Sequence, residues 1–196
     1  MIETLKEIID PQVWLEHNGI NADEIILKEN SSDSKIKNLT IMRTPKNCFA
    51  FTLDCDIKNH KKNYAQLSSY FNEANKIGIN KSCDLVILDF DNAEGIVEVS
   101  LIDLKSDKIK KKKCEDQINN SKLFIEYLFK IIQFYYKKEF DIKFRKIIIY
   151  TGHSHNKVPV YRGNKKTEKP LKYICLRPNN GKAEIFYKKI IDSSVN

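Results

Sequence analysis

The stretch from Cys83 to Lys105, CDLVILDFDNAEGIVEVSLIDLK, leaves this chain few ways to fold. Two apolar runs flank a tight acidic turn, Asn92-Ala93-Glu94-Gly95, which is the pattern of a β-hairpin. The first run, Leu85 to Leu88, is too apolar for an exposed edge and belongs inside a sheet. In the second, period-two alternation puts Val99, Leu101, Asp103 and Lys105 on one face and Glu98, Ser100, Ile102 and Leu104 on the other. The hairpin brings Asp84, at the start of the first strand, beside Asp103 and Lys105 at the end of the second. Burying any one of these charges alone would be costly, so they pair with each other or serve a site. Two carboxylates and an ammonium at one strand end suit a hard divalent cation, which takes oxygen ligands and keeps several waters.

Around this hairpin the 196 residues read as one domain. Residues 1–60 supply N-terminal helices and a first strand, 62–151 the core, and 152–196 a C-terminal loop and β-hairpin. The net charge of +8, almost all of it lysine, favours polyanionic partners, because a cationic surface releases counterions from a phosphate backbone. Five scattered cysteines without C-x-x-C spacing read as reduced thiols of a cytoplasmic protein. Neither a signal peptide nor a membrane-length apolar run is seen, so no membrane partner is expected.

Helical spacing predicts one or two short helices within residues 1–18, around Pro11. Residues 21–37 read as polar, with a loop at 30–34, and 36–42 as a short strand. Residues 47–57 alternate as a strand, ending in Asp54 and Asp56. These two are a solvated strand end or extra acids near the metal site. Residues 62–77 show the i, i+3, i+4 pattern of a helix, with Gly78 ending it.

The longest helix is expected over 114–139, with Phe124, Tyr127, Leu128, Ile131, Ile132 and Tyr135 as its apolar stripe. Extended back, that stripe turns Gln117 toward the sheet, where its amide needs partners: it orients the carboxylates or a phosphate, or it is a satisfied helix-start amide. The run Lys108, Lys110, Lys111, Lys112 and Lys113 is a solvated surface, or it holds a nucleic-acid backbone over the site. Residues 144–150 read as a buried strand. His153, Arg162, Lys165 and Lys166 beyond it belong to a polar loop with phosphate contacts as its functional reading. Residues 173–176 and 183–187 read as a closing hairpin.

Asp84, then Asp103-Leu104-Lys105 on a strand, then a helix with Gln117 near its start resembles the PD-(D/E)XK nuclease superfamily. The likeness spans about residues 62–151. It implies an α/β fold with a restriction-endonuclease-like core, a central mixed β-sheet flanked by helices. It further implies a Mg2+-dependent endonuclease, with Mn2+ as a substitute, acting on DNA in a bacterial anti-phage or restriction system, alone or with a protein partner subunit. In that frame Asp84, Asp103 and the Leu104 carbonyl hold the cation, Lys105 acts on the attacking water, and Gln117 and Glu73 support the site. The chain has Asp103 where the superfamily often has Glu, and no proline precedes Asp84, which leaves the number of metals open. A different class stays in view: a non-catalytic basic subunit on the same fold that binds nucleic acid or a larger protein.

Overall fold

The computed structural model describes residues 1–15, 17–18, 23–29, 31–54, 66–72, 74–91, 95–106, 109–152 and 171–192. The N-terminus forms α1 (Ile2–Ile8) and a 3-10 turn, Pro11–Val13, followed by the short strands β1 (Trp14–Leu15) and β2 (His17–Asn18). Then come β3 (Glu24–Lys28), β4 (Asn38–Met42), β5 (Cys48–Phe51), β6 (Leu85–Asp91) and β7 (Ile96–Lys105). The long helix α2 (Lys111–Tyr136) leads to β8 (Asp141–Tyr150), β9 (Lys172–Cys175), β10 (Lys182–Phe186) and α3 (Tyr187–Ile191).

Six strands make the main sheet in the order β1-β5-β6-β7-β8-β9. The β6–β7 pair is antiparallel, from Leu85↔Ile102 to Asp91↔Ile96, as the hairpin pattern requires. From β7 the chain crosses through α2 to β8, which pairs parallel over Ile96↔Asp141 to Lys105↔Tyr150. An antiparallel half and a parallel half thus meet at β7, and the sheet is mixed. Both faces of β6 and β7 are covered, which explains their nearly unbroken apolar composition. On one face Val97, Val99 and Leu101 pack with α1 and α2; on the other Leu85, Ile87 and Ile102 pack against a second, four-stranded sheet.

That second sheet, β10-β4-β3-β2, and α3 cover the face opposite α2, so the architecture is α/β with helices on both sides of the main sheet. A partly buried polar clasp docks α3. The Tyr187 hydroxyl donates to Asp89 at 3.0 Å, Arg145 donates to the Ile191 carbonyl at 2.8 Å, and Arg145 pairs with Glu98. No described helix is long and apolar enough to cross a membrane.

Several expectations are corrected. The stretch 21–37, read as polar, contains β3, whose Ile25 and Leu27 point into the second core. The helix expected over 62–77 is absent from its described residues: 66–72 and 74–77 are turns, because asparagine side chains compete for the backbone. Asn72 accepts from the Ala74 amide, and Asn75 accepts from the amides of Gly78 and Ile79. The closing hairpin is also absent. Strand β9 pairs parallel with β8, while β10 crosses to the second sheet and pairs parallel with β4.

The helix α2 begins and ends three residues earlier than its expected limits, and its buried face is turned. Cys114, Gln117, Ile118, Ser121, Ile125, Leu128, Phe129 and Ile132 face inward, whereas Tyr127 is 65% and Tyr135 71% exposed. The C-terminal half of the helix is apolar nearly all round, so its spacing admits more than one stripe. Gln117 and Ser121, bonded to the chain before β6, settle the rotation.

Candidate active site

The site forms where the C-terminal end of β7 meets the start of β6 and the first turns of α2. Asp84 directly precedes β6, and its amide donates to the Ile102 carbonyl at 3.1 Å, which carries the ladder one residue beyond the strand. Its carboxylate Oδ2 accepts the Leu104 amide at 2.5 Å. One residue to either side of Leu104, Asp103 and Lys105 project toward α2. Lys105 Nζ donates to Asp103 Oδ1 at 2.7 Å. Asp103 is fully buried, Asp84 is half-buried, and the Lys105 side chain keeps 21% of its surface exposed.

The helix α2 grips the approach to Asp84. Gln117 Nε2 donates to the Ser82 carbonyl at 3.0 Å. Ser121 Oγ accepts the Cys83 amide at 2.8 Å and donates to the Gln117 carbonyl at 3.0 Å. Gln117 therefore faces the sheet as expected, and its amide nitrogen is satisfied by backbone. Its Oε1, like Asp103 Oδ2, is buried without a hydrogen-bond donor among the described residues.

The charges are strongly interdependent. Burial, and then the charge of Asp103, lift the Asp84 carboxyl well above the ordinary carboxylate range against the pull of Lys105 and the Leu104 amide. Burial likewise raises Asp103, with Lys105 opposing. Burial alone would lower Lys105; the nearby carboxylates Asp103 and Asp84 outweigh it and hold the ammonium above the usual lysine value. The thiol of Cys114, beside Asp103, is pushed up to about 11, first by burial and then by that carboxylate, so it stays protonated at neutral pH. Asp54 also lies in the field of Asp103 and Lys105; desolvation and then Glu29 raise it, while Lys81 and Lys105 lower it. Asp54 is exposed, as the solvated end of the chain leaving β5.

Two residues were not singled out from the sequence. Cys114 lies one helical turn before Gln117 on the same buried face, and that spacing is the signal for it. Tyr173 belongs to a row across the parallel strands, Asp103↔Ile148↔Tyr173, and its hydroxyl is buried without a partner among the described residues. Lys110, Lys112 and Lys113 are exposed at the start of α2, where Lys111 and Lys112 pair with Glu115 and Asp116. Asp56, Glu73, Lys108, His153, Arg162, Lys165 and Lys166 lie outside the described residues.

Among the described residues no three His, Cys, Asp or Glu side chains converge as a metal cage. The donor set nevertheless fits a hard cation that keeps much of its water: two carboxylates at one strand end, and buried oxygens that lack donors. No family model matches the chain, and no curated protein or solved structure matches it either.

Proposed function

We propose that this chain is a metal-dependent nuclease that hydrolyses phosphodiester bonds, with DNA as its substrate and bacterial anti-phage defence or restriction as its setting, on a restriction-endonuclease-like core. The observation that carries the reading is the convergence of Asp84, Asp103 and Lys105 at one end of a mixed sheet, one buried, two half-buried and all electrostatically linked. Carboxylates crowded until both are hard to ionise are unfavourable for folding alone, and such crowding is a mark of functional sites. The order β5, β6, β7, α2, β8, antiparallel and then parallel, agrees with the core that the sequence resemblance implies.

In this reading Asp84, Asp103 and the Leu104 carbonyl hold Mg2+, or Mn2+ in its place. When bound, the cation supplies Lewis-acid stabilisation of the phosphate and a more acidic water. The Leu104 amide keeps Asp84 oriented, and Gln117 and Ser121 hold the backbone that bears it. Lys105, its ammonium above the ordinary value, acts as a cation: it orients the attacking water and stabilises charge developing on the phosphate. Lys110, Lys112 and Lys113 add positive charge at the N-terminal, electropositive end of α2, where acidic side chains are normally preferred. Phosphate binding gives that placement a purpose.

The 2.7 Å Asp103–Lys105 contact also fits a second reading, in which the pair is structural and the chain is a non-catalytic basic subunit bound to nucleic acid or a partner protein. Incubation with supercoiled plasmid and single-stranded DNA, with Mg2+ or Mn2+ and with EDTA, separates the two. Metal-dependent cleavage by the wild type that is lost in Asp103→Ala supports the nuclease; binding without cleavage under any of these conditions supports the subunit.

A further inference from the structure

The turns between residues 66 and 81 are fixed far more firmly than their irregular backbone suggests. Asn80 accepts the Ser68 amide at 3.1 Å and donates to the Phe71 carbonyl at 3.3 Å, while Gln66 donates to that carbonyl at 3.0 Å. The far end is fastened to α2, where Asn120 donates to the carbonyls of Gly78 and Lys81 at 3.0 and 2.9 Å. On this braced segment Tyr70 is 96% exposed and its neighbour Phe71 is 49% exposed. Rings held on a braced backbone lose little conformational freedom on binding, so they are suited to meeting a flat partner face to face.

Charge and position indicate what that partner is. The segment carries Lys76 and Lys81 against a single Glu73, within a chain of net charge +8. Lys81 is held by Asn120 and the next residue, Ser82, by Gln117, two residues before Asp84, so the segment leads into the candidate active site. Asn80 is four residues from Asp84, a span of at most about 14 Å. Exposed aromatic rings on a lysine-bearing segment are a combination that binds unpaired bases by stacking while the cations follow the phosphates. A duplex offers no such base faces, because its bases already stack on one another.

We propose that Tyr70 and Phe71 form a base-stacking platform for single-stranded nucleic acid, beside the Asp84, Asp103 and Lys105 site. The use of the platform to deliver a strand for cleavage rests on the nuclease reading; its binding activity does not. The test is fluorescence anisotropy of labelled oligo-dT and of a labelled duplex, measured with the full chain in EDTA so that nothing is cut. Tyr70→Ala is expected to weaken oligo-dT binding about tenfold, Tyr70→Phe to restore it, and duplex binding to stay unchanged. Because the ring is exposed, the substitution leaves the fold intact, which circular dichroism checks. Wild-type affinity of Tyr70→Ala for oligo-dT, or an equal loss on the duplex, would overturn the platform and leave the rings to a protein partner. A wild type that cuts nothing yet loses oligo-dT affinity through Tyr70→Ala keeps the platform and removes the nuclease.

Discussion

The amide of Leu104 donates to the carboxylate of Asp84 across 2.5 Å, so the strand that bears Asp103 and Lys105 also orients the carboxylate that faces them. The two acids are therefore held together by the sheet, despite repulsion that each would escape if the other were absent.

That repulsion makes stability depend on pH. The folded Asp84 carboxyl is raised above its unfolded value of about 3.9, so the folded state binds the proton more tightly. Its stabilising contribution is complete below that value and is lost as pH rises through the raised folded value. The metal-free protein should thus melt at lower temperature as pH climbs from about 4 toward neutrality. Asp84→Asn, which keeps an acceptor for the Leu104 amide, should flatten that slope and raise the melting temperature at neutral pH. Thermal melts in EDTA across the range check this; an unchanged slope in Asp84→Asn would count against it.

Ser121 is fully buried and accepts the Cys83 amide at 2.8 Å. Ser121→Ala leaves that amide without a partner at the entry to β6, at a cost of about 1–3 kcal/mol. Urea unfolding should show a lower midpoint at the same m-value, and cleavage should fall because Asp84 loses its brace. A midpoint equal to the wild type would show that the hydroxyl carries no such role.

The lysines at the start of α2 should act through phosphate charge and not through base contacts. Replacing Lys110, Lys112 and Lys113 by Gln should reduce the slope of log affinity against log salt by about 0.9 for each lysine that contacts a duplex phosphate. The loss should be alike for unrelated sequences. Titrations of two duplexes at several salt concentrations measure both quantities.

Gly181 lies where the chain crosses from the main sheet to the second. Its φ is +76°, its carbonyl accepts the amides of Lys37 and Asn38, and an added Cβ would stand 3.0 Å from Lys37 Cγ. Gly181→Ala should destabilise by about 1–2 kcal/mol from the left-handed backbone alone. Its folded fraction should keep wild-type cleavage, since the bonds of the turn go to Lys37 and Asn38 and not to Asp84, Asp103 or Lys105. Chemical unfolding followed by an assay under native conditions separates the two effects.

The central hairpin was legible because its signals are local: alternation gave the shared face of Asp103 and Lys105, and a tight turn implied the register that brings Asp84 alongside. Gln117 was legible through helical stepping. The phase of α2 beyond it was not, since the exposed Leu123 and Phe134 are as apolar as the residues that are buried. The turns at 66–81 depend on asparagine side chains reaching the backbone, which hydrophobic spacing does not register. The separation of β9 and β10 into two sheets arises from parallel pairing with strands distant in sequence, so the short link between them mimicked a hairpin. Tyr173 was hidden for the same reason, since it meets the site only through two successive parallel registers.

In the proposed nuclease, Asp84 and Asp103 bind the cation and Lys105 acts on the phosphate. The most direct test measures Mn2+ affinity by calorimetry, alongside plasmid cleavage, for the wild type, Asp103→Ala and Lys105→Ala, each shown to be folded. Lys105→Ala should retain Mn2+ binding while cleavage falls by about 10²–10³-fold, and Asp103→Ala should lose both. A Lys105→Ala protein that cleaves at the wild-type rate, or a wild type that neither binds Mn2+ nor cleaves, would contradict the assignment.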